Sequence, residues 1–248
     1  MEKPDAPSCA KNREPILEVL RDHFHDRRQV LEIGSGTGQH AIYFAERLPH
    51  LLWQTSDRAE NLLGISAWLN EAAHPNTPAP LAFNILDSWP EGRFDAIFSA
   101  NTLHIMPWLA VERFFAGLPE ILTEQAKVAI YGPFNYGGQF TSESNAEFDR
   151  NLKENAPHQG IRDFEKVNAL AVKAGLSLVE DRAMPSNNRC VVWQRGWIKR
   201  RRSARSGRSE VHIQSAVDHN YFSRPVKPSK ASGILELLYW LQRFQVTE

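Results

Sequence analysis

The chain has 248 residues, 42% of them apolar and 23% charged, with Lys plus Arg and Asp plus Glu equal at 29 each. That length allows one sizeable domain with a buried core, or a domain carrying an appendage. The charge is unevenly spread: residues 196–248 hold 10 Lys/Arg against 4 Asp/Glu and the body 19 against 25, which argues against a nucleic-acid footprint on the body and leaves one open for the tail.

In chain order, apolar spacing in NREPILEVLRDHFH predicts a helix over 12–25, with Pro15 in its first turn. RQVLEIGS (28–35) reads as a strand, GQHAIYFAERL (38–48) as a helix, LLWQTS (51–56) as a second strand and 59–73 as a second helix of the alternation. LAFNIL (81–86) and FDAIFSA (94–100) read as the third and fourth strands, followed by a helix over 107–122 that Pro119 must bend or shorten. AKVAIYGPF (126–134) is a fifth strand, and helices follow near 145–155 and over 162–175, with Gly175 at the end of the last. LSLVEDRAM (176–184) and RCVVWQR (189–195) form a hairpin-like pair around PSNN. Strand–helix alternation predicts an α/β fold: a doubly wound, Rossmann-like sheet of seven strands, mostly parallel, with helices on both faces and an antiparallel strand from the C-terminal hairpin.

The first strand runs into VLEIGSGTGQH (30–40), with glycines at Gly34, Gly36 and Gly38. The dinucleotide spacing G-x-G-x-x-G fails at Gln39, and no Gly-Lys-Ser/Thr follows for a phosphate loop. Glycines at such a turn let a ligand approach the backbone, and ligands of open α/β sheets sit beyond the carboxyl ends of the strands. Asp57, 23 residues after Gly34, ends the second strand. It can accept the hydroxyl protons of an adenosine ribose or cap the next helix. Glu32, an acid inside an apolar strand, needs partners. A cationic amino-acid ligand suits it better than a pyrophosphate, which favours S-adenosylmethionine over NAD.

VLEIGSGTG with Asp57 and then FDAIFSANTLHI resembles the class I S-adenosylmethionine-dependent methyltransferases. More narrowly, NREPILEVL, VLEIGSGTGQH, WQTSD, SANTLHIMPW, YGPFNYGG and GIRDFE, in this order, resemble a little-characterised methyltransferase-like family, mostly bacterial with eukaryotic members. The resemblance covers about residues 4–195 and implies one methyltransferase domain over 1–195. It places Gly34, Ser35, Gly36 and Gly38 around the methionine and ribose of the cofactor. Glu32 would orient the loop and the amino group, Asp57 take the ribose hydroxyls, and Arg58 lie beside the adenine. Asn84 or Asp87 would meet the adenine amino group; the family tends to have an acid at position 84. Asn101 and Leu103 would flank the sulfonium. TEQAKVAIY lacks the Gly-Gly turn common before the fifth strand of the class.

Methyl transfer needs alignment and exclusion of water more than a universal catalytic residue. His104 could take an acceptor proton, and Tyr131 faces the same rim if the sheet is wound as proposed. Phe134, Asn135 and Tyr136 are acceptor-pocket candidates, and Asn12 and Arg13 candidates for a lid. His23 and His25 do not share a helix face and read as surface residues. No metal site is expected. The acidic body favours a small-molecule acceptor. An RNA or protein methyltransferase recruited by the basic tail, or a catalytically silent cofactor-binding or interaction module, are the alternatives.

The tail has a basic cluster, Lys199 to Arg202 with Arg205 and Arg208, then ILELLYWLQRFQV. It reads as largely disordered over 196–233, with an amphipathic helix over 234–246. Two cysteines, Cys9 and Cys190, make no disulfide framework. Without a signal-like segment or a membrane-length apolar run, the expected location is the cytoplasm.

Overall fold

The computed structural model describes residues 3–196. The expected tail features lie outside the described residues. Helix α1 (Pro7–Phe24) leads into strand β1 (Gln29–Ile33), α2 (Gln39–Arg47), β2 (Leu52–Asp57), a short 3-10 turn and α3 (Leu62–Ala72). Next come β3 (Leu81–Ala82), β4 (Phe94–Ala100), α4 (Trp108–Ile121), β5 (Leu122–Gly132) and β6 (Phe134–Asn135). The described residues finish with α5 (Glu143–Asn155), β7 (Arg162–Asp163), α6 (Phe164–Lys173), β8 (Leu176–Met184) and β9 (Asn188–Arg195).

Seven strands form one sheet in the order β3-β2-β1-β4-β5-β9-β8. All neighbours are parallel except those of β9, which runs antiparallel to both β5 and β8. This is the doubly wound, mostly parallel sheet that the alternation predicts. Its two faces follow from the period of two along each strand. Val30, Trp53, Phe98 and Val192 point into a core built with α1, α2 and α3. Leu31, Ile97, Val128 and Trp193 point the other way, into a core built with α4 and α6. Among the described residues, no helix is long and apolar enough to cross a membrane.

Several boundaries differ from expectation. Helix α1 starts at Pro7, so Pro15 lies mid-helix; the extra turns are held by tertiary contacts, including Ala6 N–H donating to Gln39 Oε1 (2.6 Å). His23 is buried and bonded to Glu180 Oε2 (2.6 Å), whereas His25 is exposed. Pro119 neither ends nor excludes the helix, which runs two residues past it. The third strand shrinks to Leu81–Ala82 because pairing with β2 ends at Asp57. The fifth begins at Leu122 and bulges before Lys127, where Gln125 takes φ +60° in the place of a glycine turn. Bonds to Arg195 O and from Gln194 Nε2 hold the Gln125 side chain there. The β8–β9 hairpin turns through Ser186 and Asn187, both at φ +56°, the left-handed pair of a type I′ turn. The pairing of Phe134–Asn135 with Arg162–Asp163 has no periodic signature, since each strand is two residues long.

Candidate functional site

The sheet reverses its order between β1 and β4, and a cleft of about 560 Å³ opens there, beyond their carboxyl ends, where ligands of open α/β sheets bind. The glycine turn after β1 forms its floor, and each glycine is required for a different reason. A Cβ on Gly34 (φ +76°) would meet Thr102 Cγ2 at 2.7 Å, so it lets the β1 and β4 loops touch. A Cβ on Gly38 (φ +89°) would meet Ile65 Cα at 3.2 Å, making it a packing residue against α3 rather than part of the lining. At Gly36 (φ +58°) a Cβ would find nothing within 4 Å. That space belongs to the cleft.

Asp57 ties the turn in place. Its Oδ2 accepts Gly36 N–H (2.7 Å), and its Oδ1 accepts Arg58 N–H (2.7 Å) and Asn61 Nδ2 (2.8 Å). A carboxylate has about four lone-pair sites, so acceptor capacity remains for a ligand. Burial pushes the pKa of Asp57 up, against these bonds. Glu32 is fully buried behind the turn, outside the cleft lining. The partner it needs is supplied by the indole of Trp53, whose Nε1–H donates to Glu32 Oε2 (3.0 Å). Burial raises its pKa to about 7.

The loop after β3 supplies an apolar wall of Phe83, Ile85 and Leu86. Asn84 lines the cleft beside them, whereas Asp87 is exposed and outside it. Among the described residues, Arg58 is the one Lys or Arg of the lining, and it pairs with Glu60 (2.6 Å). From the end of β4, Asn101 sits at φ +56°, a conformation that Asn tolerates better than most residues. Its Oδ1 is buried with no hydrogen-bond partner among the described residues. Ser35 and the fully buried His104 also line the cleft. Leu103 points into the α4 core, outside the lining.

The other predicted site residues lie elsewhere. Tyr131 is buried on the α1 side, where burial pushes its phenol pKa up. Phe134 is in the α4 core, Asn135 in β6, and Tyr136 donates its hydroxyl to Asp181 Oδ2 (2.7 Å). Asn12 accepts from His40 Nε2 (2.7 Å), and Arg13 stacks over Tyr43 at 4.4 Å. Neither lines the cleft; Ala6, just before α1, and Ser8 and Cys9 in its first turn do so. Periodicity missed them because α1 begins before its apolar pattern does. The far end was missed too: Phe148, His158 and Gln159 line it, brought there by α5 and its following turn. The nearby GIRDFE was the signal available in the sequence.

Cys9 and His40 meet at the cleft wall, with Sγ 3.7 Å from Nδ1. With Nε2–H donating to Asn12, Nδ1 is free to accept the S–H. Burial lowers the His40 pKa to about 4 and raises that of Cys9 to about 12. Both groups are neutral near pH 7, so this Cys–His–Asn arrangement is unactivated. Iodoacetamide at mildly alkaline pH should therefore modify Cys9 at least about a hundredfold more slowly than a free thiol. Peptide mass mapping over time checks this; fast labelling would mean an activated thiolate.

Residues 3–195 match the family described as "Protein of unknown function (DUF938)". The chain belongs to this family. By structure, the DUF938 chain is similar to an O-methyltransferase family protein from Burkholderia thailandensis, with a TM-score of 0.66 and 16% identity over 74% of this chain and 56% of that one. It is similar to CalO1, a methyltransferase in calicheamicin biosynthesis in an SAH-bound form (TM-score 0.63, 18% identity, 76% and 54% coverage). A third likeness is to an O-methyltransferase family 2 protein from Planctomyces limnophilus DSM 3776 in complex with apigenin (TM-score 0.61, 15% identity, 74% and 61% coverage). The DUF938 chain thus spans little more than half the length of these proteins. At such identities the likeness shows the fold, which is that of class I methyltransferases.

Proposed function

We propose that the DUF938 chain is an S-adenosylmethionine-dependent methyltransferase acting on a small-molecule acceptor. The observation that carries this reading is the polarity of the cleft. Beside the glycine turn its buried polar atom without a partner among the described residues is an acceptor, Asn101 Oδ1, next to a carboxylate with capacity to spare and the open face of Gly36. Such a set suits a cationic ligand bearing hydroxyl and amino donors. It suits a pyrophosphate poorly, since Arg58 is already paired. The names of the structural neighbours point the same way.

In this reading S-adenosylmethionine supplies a methyl group already activated on a sulfonium. Asp57 holds the ribose hydroxyls and the Gly36 backbone together. Asn101 faces the positive charge, Asn84 and the Phe83–Leu86 wall take the adenine, and Gly34, Ser35 and Gly36 let the ligand lie on the backbone. Burial lowers the His104 pKa to about 3, so its ring is neutral near pH 7 and can accept a hydrogen bond, but it is too weak a base to hold a proton there. Glu32, Gly38 and Leu103 act through packing behind the site.

Calorimetry with S-adenosylmethionine, S-adenosylhomocysteine and NAD tests the reading. We expect both sulfur ligands to bind and NAD not to. Asp57→Ala should weaken them about a hundredfold, since it removes the ribose contact and frees the turn. Binding of NAD alone, or equal S-adenosylmethionine affinity in both proteins, would defeat the reading.

A further inference from the structure

The far end of the cleft is a separate construction. Asp149, buried on α5, accepts Ile161 N–H through Oδ1 (2.8 Å), and Lys153 pairs with its other oxygen (2.5 Å). Gly160 N–H donates to His104 O (2.9 Å). Gly160 adopts φ +151°, where a Cβ would meet Asp149 Oδ1 at 2.9 Å. Arg162 then ties the turn to the loop after β4, donating through Nε to Leu103 O (3.0 Å) and through Nη2 to Met106 O and His158 O. The β6–β7 pairing holds Arg162 from behind, which gives Phe134 and Asn135 a supporting place. GIRDFE is thus the staple of a fixed rim.

That rim holds Gln159 at 6% exposure against the cleft, with Oε1 lacking a partner among the described residues. A buried acceptor left unmade costs stability, and a site built this way selects for a donor. The surroundings are apolar and aromatic: Ile105, Met106 and Phe148, with the Phe148 ring edge-on to His104 at 5.3 Å. Lysine, arginine and carboxylate side chains do not occur in the lining at this end among the described residues.

We propose that this end of the cleft binds an uncharged, ring-bearing hydroxy compound as the acceptor, with Gln159 Oε1 taking the hydrogen bond from its hydroxyl. Gln159 is then a specificity-determining residue. The assignment of this ligand as the methyl acceptor rests on the reading above; its binding does not. His104 lines the same cleft with its ring edge-on to Phe148, and Arg162 acts only by positioning.

The test uses the full chain and three matched probes: 2-naphthol, its methyl ether 2-methoxynaphthalene, and 2-naphthoate. Each is titrated by calorimetry, first with the free protein and then with saturating S-adenosylhomocysteine. In wild type, 2-naphthol should bind about tenfold or more tightly than the ether, which cannot donate, and than the anion. In Gln159→Leu the preference over the ether should vanish while S-adenosylhomocysteine affinity is unchanged. A wild-type protein that binds no 2-naphthol, does not prefer it, or prefers 2-naphthoate overturns the proposal, as does a Gln159→Leu protein that keeps the preference. The wild-type comparison stands whether or not the variant folds. Absence of S-adenosylhomocysteine binding would defeat the methyltransferase reading instead, and the free-protein titrations would still decide the subsite.

Discussion

Gly34→Ala and Gly36→Ala are expected to fail in opposite ways. At Gly34 the added methyl meets Thr102 Cγ2 at 2.7 Å and Oγ1 at 2.8 Å. Thr102 cannot simply rotate aside, because its hydroxyl donates to Ala100 O and accepts from Ser99 Oγ. Overpacking against a fixed side chain and a left-handed φ together should cost about 3 kcal/mol of stability. At Gly36 the methyl meets no atom of the described residues within 4 Å, so only the backbone cost of about 1 kcal/mol remains. The methyl nevertheless projects into the space assigned to the ligand, so S-adenosylmethionine affinity should fall about a hundredfold or more. Urea unfolding and calorimetry on both variants separate the two effects. A Gly36→Ala protein that binds like wild type would show that the ligand does not lie on this turn.

The second large effect is on acid stability. His40 and His104 are buried and held neutral in the folded chain, with pKa values lowered from an ordinary 6.5 to about 4 and about 3 by burial, helped by the charges of Arg13 and Arg162 respectively. On unfolding below about pH 6.5 both take up a proton, so their contribution to stability is complete above 6.5 and is lost as pH falls. Glu32 works in the opposite sense. Its pKa is raised from 4.5 to about 7, so the folded chain holds a proton that the unfolded chain releases between those values. Its contribution is complete below 4.5 and is lost as pH rises through 7. For these three groups the balance between pH 4.5 and 6.5 is about one net proton taken up on unfolding, and Asp57, whose pKa burial also raises, works in the sense of Glu32. Stability should therefore fall by about 1.4 kcal/mol for each unit of acidification. His104→Gln removes one of the two histidines and should leave the profile nearly flat across that window. Urea midpoints measured through it give the slope, and an unchanged slope would contradict the buried neutral state of His104.

The order of the elements was legible from the chain because a parallel sheet covered on both faces leaves a strong imprint. Strands such as VLEI and FDAIF are apolar at nearly every position, and helices such as α2 carry one apolar stripe. The glycine turn and Asp57 were legible for a related reason: both stand at strand ends, where spacing along the chain converts directly into proximity across the β1–β2 pair, in which Ile33 lies against Ser56. Asn84 and His104 belong to the same class. Their neighbours in sequence place them at a carboxyl edge, and that edge is the cleft.

What the sequence by itself determined, then, is the winding of the sheet and the residues at its carboxyl ends. The tertiary structure decided which side chains reach the cleft from elsewhere. Tyr131 and Ile130 are adjacent in β5 yet face opposite cores, so a one-residue step in register moves a side chain from one core to the other. Glu32 found a partner in Trp53, one strand away. Cys9 and Gln159 arrive from helix turns distant in sequence from the sheet edges they meet, held by Gln39 and by Arg162. Local pattern reports only which face of an element is apolar. Where two elements meet depends on packing and on buried hydrogen bonds spanning dozens of residues, and those are made only when the chain closes on itself.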